Sequence, residues 1–171
     1  MKIEVIEGSL LDCEADVIVN PANSGGRMGG GVAGVIRRAA GKEVEAEAMK
    51  QAPIPIGAAV MTGGGKSRFK GIIHAPTMVR PAEVIPVENV RKATRAALDL
   101  AEKEKVRVIG FPGMGTGVGK VSPDEAARDM IDEMTAFQGH NIQKVILVAI
   151  RQEMFAAWRR ALSPTDRSTQ T

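Results

Sequence analysis

The chain has 171 residues, 44% apolar and 25% charged, with a formal charge of +3. That balance excludes disordered, collagen-like and coiled-coil chains and supports one folded domain, expected over residues 1–162 with a flexible polar tail at 163–171. No apolar run reaches the ~18 residues of a membrane span, and Met1, Lys2, Ile3 and Glu4 turn acidic before a signal-peptide core forms, so a cytoplasmic protein without membrane attachment is expected.

A lone cysteine, Cys13, excludes an internal disulfide, and two distant histidines, His74 and His140, offer no metal-ligand spacing. Neither a metal nor a cofactor is expected. The charges are spread along the chain, and there are only four Phe, one Trp and no Tyr on which bases could stack, so nucleic-acid binding has little support.

In chain order, Lys2 to Ile6 reads as a strand, and Asp16 to Asn20 as a β-branched strand of the kind buried on both faces. A helix is predicted from Gly29 to Gly41, with Val32, Val35, Ile36 and Ala39 at helical spacing, and a Glu-rich helix from Lys42 to Gln51. Strands follow at Ala58–Thr62 and Lys70–Ala75, around a Gly63-Gly64-Gly65-Lys66 turn. A long helix from Pro86 to Glu104 leads to the strand Val106–Phe111. Ser122-Pro123-Asp124-Glu125 is a capping box with proline at the first helical position and starts a helix over 123–138. Lys144–Ala149 is the last strand and Glu153–Leu162 the last helix. This alternation argues a largely parallel sheet with helices on both faces.

Fourteen of the 19 glycines fall in three clusters, within residues 25–34, 63–65 and 110–119. The first and third follow a predicted strand and precede a predicted helix, at the carboxyl edge where open α/β sheets bind ligands. Glycine lets backbone N–H groups approach an anion, and the following helix N-terminus favours negative charge. Two such loops suit a diphosphate. The familiar phosphate motifs fail on context. Gly29 to Gly34 spells G-x-G-x-x-G but lies nine residues past its strand, and Gly65-Lys66-Ser67 imitates a P-loop with Val60 where glycine is required.

Asp16-Val-Ile-Val-Asn-Pro-Ala-Asn23, Gly29-Gly-Gly-Val-Ala-Gly34 and Arg38-Ala-Ala-Gly41 together resemble the macrodomain family. The resemblance continues through Gly57-Ala58-Ala59, Ile72-Ile73-His74, Phe111-Pro112 and Gly115-Thr116-Gly117-Val118, to about residue 150. It implies a three-layer α/β/α sandwich on a mixed, mostly parallel sheet and a site for ADP-ribose, which many members remove from proteins. By the same resemblance, Gly29, Gly30, Gly31, Val32 and Ala33 hold one phosphate. Gly113, Met114, Gly115, Thr116, Gly117, Val118 and Gly119 form the opposing loop, and Ser9, Leu10 and Ile150 lie towards the base. Asn20 is placed among the binding residues, more as a tie between loops, and Asn23 as the catalytic residue that orients the distal ribose and the reacting water.

Four positions depart from the family pattern. Ser9 stands where an Asp usually accepts from the adenine amino group, Ile150 and Gly119 stand where aromatics are common, and Ala33 stands where hydrolases of the best-known branch carry an Asp. The function implied is an ADP-ribose-binding domain with slow hydrolysis of mono-ADP-ribosyl carboxylate esters or deacetylation of O-acetyl-ADP-ribose. The alternatives are a non-catalytic reader of mono-ADP-ribosylated proteins and, less supported, an RNA or poly-ADP-ribose binder. His74 reads as a satisfied core residue, Cys13 as chemically idle, and Met28 and Met114 as residues flanking the site.

Overall fold

Strands in this chain alternate their apolar side chains between two buried faces, and that pattern sets the architecture. In the computed structural model, which describes residues 1–163, β1 (Lys2–Glu7), β2 (Val17–Asn23), β3 (Val60–Gly63), β4 (Gly71–Met78), β5 (Val108–Phe111) and β6 (Lys144–Ala149) form one sheet. The order is β1-β6-β5-β2-β4-β3. Every neighbouring pair is parallel except β3 with β4, which form an antiparallel hairpin at one edge. The mixed, mostly parallel sheet expected from the sequence is therefore the one observed.

Among the described residues five α-helices cover it: α1 (Gly31–Ala40), α2 (Lys42–Lys50), α3 (Val87–Lys103), α4 (Pro123–Ala136) and α5 (Gln152–Leu162). Val17, Val19, Val145 and Leu147 pack with α3, α4 and α5, whereas Ile18, Ile146 and Val148 pack with Ile36 and Ala40 of α1 and Val44 of α2. Period-two alternation on strands with both faces apolar gives three layers. Residues 164–171, most of the expected tail, lie outside the described residues.

Several boundaries move. β2 runs to Asn23, past the predicted end at Asn20, and β4 runs to Met78, past Ala75. Helix α1 starts at Gly31 rather than Gly29, because Gly30 is extended (φ −147°, ψ −177°) and Gly31 takes a φ of +58°. A 3-10 turn at Leu10–Asp12, absent from the sequence reading, follows β1.

The topology positions the site. β2 and β5 are neighbours, yet the chain leaving β2 enters α1 on one face while the chain leaving β5 enters α4 on the other. The two strands pair only at Val17–Ile109 and Ile18–Gly110, so beyond Ile18 the edge of β2 towards β5 has no ladder. Such a switch point opens a crevice at the carboxyl edge of a parallel sheet.

Candidate functional site

Two loops border this crevice: residues 24–30 between β2 and α1, and residues 112–122 between β5 and α4. They contain the first and third glycine clusters. Gly30 is the N-cap of α1 and supplies no side-chain hydrogen bond to the helix. The first amides of a helix have no partner within it, so the N–H groups of Gly31, Val32 and Ala33 are available to an acceptor from outside. Helix α4 differs, since the Ser122 hydroxyl accepts from the Glu125 amide at 3.3 Å.

The environment of each glycine separates open positions from packed ones. A Cβ at Gly29, Gly30, Gly31 or Gly117 would have no protein atom within 4 Å. At Gly113, Gly115 and Gly119 it would meet Thr116 Oγ1 at 2.9 Å, a Val90 methyl at 2.7 Å and the Gly115 carbonyl at 2.8 Å. These three shape the second loop from within. Its base is closed by Val121 N–H to Gly115 C=O (3.0 Å) and Lys120 N–H to Gly117 C=O (3.1 Å), leaving Thr116, Gly117 and Val118 at the tip. Ile85 N–H binds Gly119 C=O at 3.1 Å and ties the loop to the segment before α3. The middle cluster has another role: at Gly65 (φ +57°) a Cβ would lie 2.2 Å from the Ala40 carbonyl, so this glycine lets the β3–β4 turn meet the end of α1.

Asn23 closes β2 and is partly exposed. Its Nδ2 donates to the Arg27 carbonyl at 3.0 Å, and its Oδ1 is buried with no partner. A buried acceptor without a donor is rare in folded proteins and calls for an explanation. Ala33 lies in the first turn of α1, 8% exposed, and brings no acid to the loop.

Asn20 does not reach the crevice. It is fully buried in β2 opposite His74, and its Nδ2 lies 3.1 Å from His74 Nδ1. His74 Nε2 lies 3.0 Å from Thr62 Oγ1, which in turn donates to the Gly63 carbonyl at 3.1 Å. The amide therefore joins two strands of the sheet, which corrects both the ligand-binding and the loop-tying readings of Asn20. Burial lowers the His74 pKa to about 4, so the ring is neutral and acts as a relay of hydrogen bonds.

The remaining candidates divide by burial. Ser9 lies two residues past β1 and caps the 3-10 segment, its Oγ accepting from Leu11 N–H at 3.3 Å, and the preceding Gly8 N–H binds the Ala149 carbonyl at 2.9 Å. Ser9 and Ile150 are thus gathered at the ends of the paired strands β1 and β6. Ile150 is 84% exposed and Val118 55%. Leu10, Met28 and Met114 are core residues, so the two methionine side chains fill the interior and do not line a pocket. Cys13 is buried, and burial pushes its thiol pKa up, away from reactivity. Among the described residues no three His, Cys, Asp or Glu side chains are arranged to hold a metal ion, and no helix is long and apolar enough to cross a membrane.

One residue at the site was invisible in the sequence. Glu45 of α2 accepts the Met28 amide at 2.7 Å through Oε2 and Arg37 Nε at 3.0 Å through Oε1. In the sequence it is one acid among several on a solvated helix.

Comparison with known proteins agrees with this geometry. Residues 19–130 match the family model described as Macro domain. A protein of Aquifex aeolicus (strain VF5) is 56% identical over 162 residues, covering 95% of this chain and 98% of its own. The O-acetyl-ADP-ribose deacetylase of Klebsiella pneumoniae (strain 342) is 34% identical over 167 residues, covering 94% and 95%. The crystal structure of the Trypanosoma brucei macrodomain in complex with ADP-ribose superposes with a TM-score of 0.85 at 27% identity, over 94% of this chain and 69% of that one. With a family model matching well over half of its length and full-length relatives of this similarity, the chain belongs to the macro domain family.

Proposed function

We propose that the crevice between the loops 24–30 and 112–122 binds ADP-ribose, and that the protein slowly hydrolyses mono-ADP-ribosyl esters of acidic side chains or deacetylates O-acetyl-ADP-ribose. The observation that carries the reading is the pairing of an uncapped helix N-terminus behind open glycines with a second open glycine, Gly117, across a topological switch point. Backbone donors on both sides suit a diphosphate, which has acceptor oxygens on two phosphorus centres. The solved relative with ADP-ribose bound and the relative named as a deacetylase support the same ligand class.

In this reading Asn23 orients the distal ribose and the attacking water, an amide being able to accept from one group while donating to another. Ala33 offers no carboxylate base, so water activation falls to a phosphate oxygen of the substrate, and turnover is slow. The same alanine favours a second reading, a non-catalytic reader of mono-ADP-ribosylated proteins. A single-turnover release assay with a mono-ADP-ribosylated protein at saturating enzyme separates the two. Release above the uncatalysed rate supports the hydrolase, and stable binding without release supports the reader.

A further inference from the structure

Within loop 24–30, the peptide unit between Arg27 and Met28 is gripped on both edges. Its carbonyl accepts from Asn23 Nδ2 at 3.0 Å, and its N–H donates to Glu45 Oε2 at 2.7 Å. We propose that Glu45 is a positioning residue for the site, fixing the orientation of this peptide and thereby deciding which end of the Asn23 amide is left free.

A carboxylate only accepts, so the Met28 N–H must face Glu45. Because the two groups of a trans peptide point in opposite directions, the Arg27 carbonyl then faces Asn23. A carbonyl also only accepts, so Asn23 must turn its Nδ2 towards it. The free end of the amide is consequently Oδ1, the buried acceptor without a partner, beside Gly25, where a Cβ would stand 3.5 Å away. If the peptide were reversed, Met28 N–H would demand Oδ1, and the site would offer a donor in its place. Glu45 itself is held: Arg37 of α1 pairs with its other oxygen at 3.0 Å, and its side chain is only 20% exposed. One carboxylate thus joins α1, α2 and the loop. An acceptor at Asn23 calls for a hydrogen-bond donor on the ligand, and naming that donor as a ribose hydroxyl rests on the function proposed above.

The test has a part that needs no ligand. In the free 15N-labelled protein, Glu45→Ala is expected to shift the Met28 backbone amide and the Asn23 side-chain amide signals, because both hydrogen bonds change together. Glu47→Ala removes a neighbouring carboxylate of α2 that binds the Gly63 amide, and it should leave the Asn23 signals in place. In calorimetric titrations with ADP-ribose, Glu45→Ala should weaken binding about tenfold, the scale of one charge-assisted hydrogen bond. Glu45→Gln, which keeps an acceptor oxygen at the same length, should recover most of that loss. In an Asn23→Ala background the Glu45→Ala change should have little further effect, since residues acting through one another are non-additive. Unmoved Asn23 signals in Glu45→Ala, or losses that multiply in the double variant, would overturn the proposal. If the wild-type protein does not bind ADP-ribose, the functional reading falls, and the free-protein spectra still decide the role of Glu45.

Discussion

Placing a carboxylate at Gly30 probes whether the open glycines face an anion. The backbone of Gly30 is extended, a conformation any residue adopts, and a Cβ there meets nothing within 4 Å. Replacing glycine at an N-cap costs at most about 1 kcal/mol, and a negative charge at a helix N-terminus returns about 0.3–1 kcal/mol. The melting temperature of Gly30→Glu should therefore stay within about 4 °C of wild type. Binding should respond very differently. A carboxylate about 5 Å from a diphosphate, at an effective dielectric constant of about 20, is repelled by about 3 kcal/mol, more than a hundredfold in the dissociation constant. Gly117→Glu tests the opposite loop in the same way. Calorimetry with ADP-ribose and thermal unfolding by circular dichroism measure both quantities on the same samples. Gly65→Ala is the contrast: with φ at +57° and the Ala40 carbonyl 2.2 Å from its Cβ, it should lower the melting temperature through strain remote from the loops. Folded Gly30→Glu and Gly117→Glu proteins that bind ADP-ribose like wild type would refute the two-loop account.

Three further outcomes are expected. Asn23→Ala should lower single-turnover release more than it weakens binding, while Ala33→Asp adds a general base and should raise release by up to about 10²–10⁴-fold, less any repulsion of the diphosphate; no change in either variant counts against the mechanism. His74 has its folded pKa lowered from 6.5 to about 4, so the unfolded chain takes up the proton first and stability falls as pH drops through that window, by about 3 kcal/mol in all. NMR titration of the ring checks this, and an imidazole titrating near 6.5 in the folded protein would contradict it.

The glycine loops were legible in the sequence because their signal is local: glycines after a strand and before a helix mark loops at the carboxyl edge of the sheet. The three layers were legible for a similar reason, since β-branched runs alternating with amphipathic helices leave few other arrangements. Strand order was not. Nothing in the sequence places β5 beside β2, and it is this adjacency that brings the loops of residues 24–30 and 112–122 to one crevice. β2 and β4 run through Pro21 and Pro76, past the expected ends at Asn20 and Ala75; Pro21 lies beyond the end of the β2–β5 ladder, where a missing N–H breaks no hydrogen bond on that side. Asn20 was read as a tie between loops at the end of its strand, whereas its partner is His74, 54 positions away on the neighbouring strand. Glu45 was hidden for the same physical cause, its partners being set by tertiary packing between α1, α2 and the loop.

In the function proposed above, one ligand engages both glycine loops through its diphosphate. Calorimetric titration of the wild-type protein with ADP-ribose, AMP and adenosine tests it most directly, since neither AMP nor adenosine carries a diphosphate. ADP-ribose should bind at least tenfold more tightly than AMP, and adenosine more weakly still. Equal affinities for ADP-ribose and AMP would contradict the account.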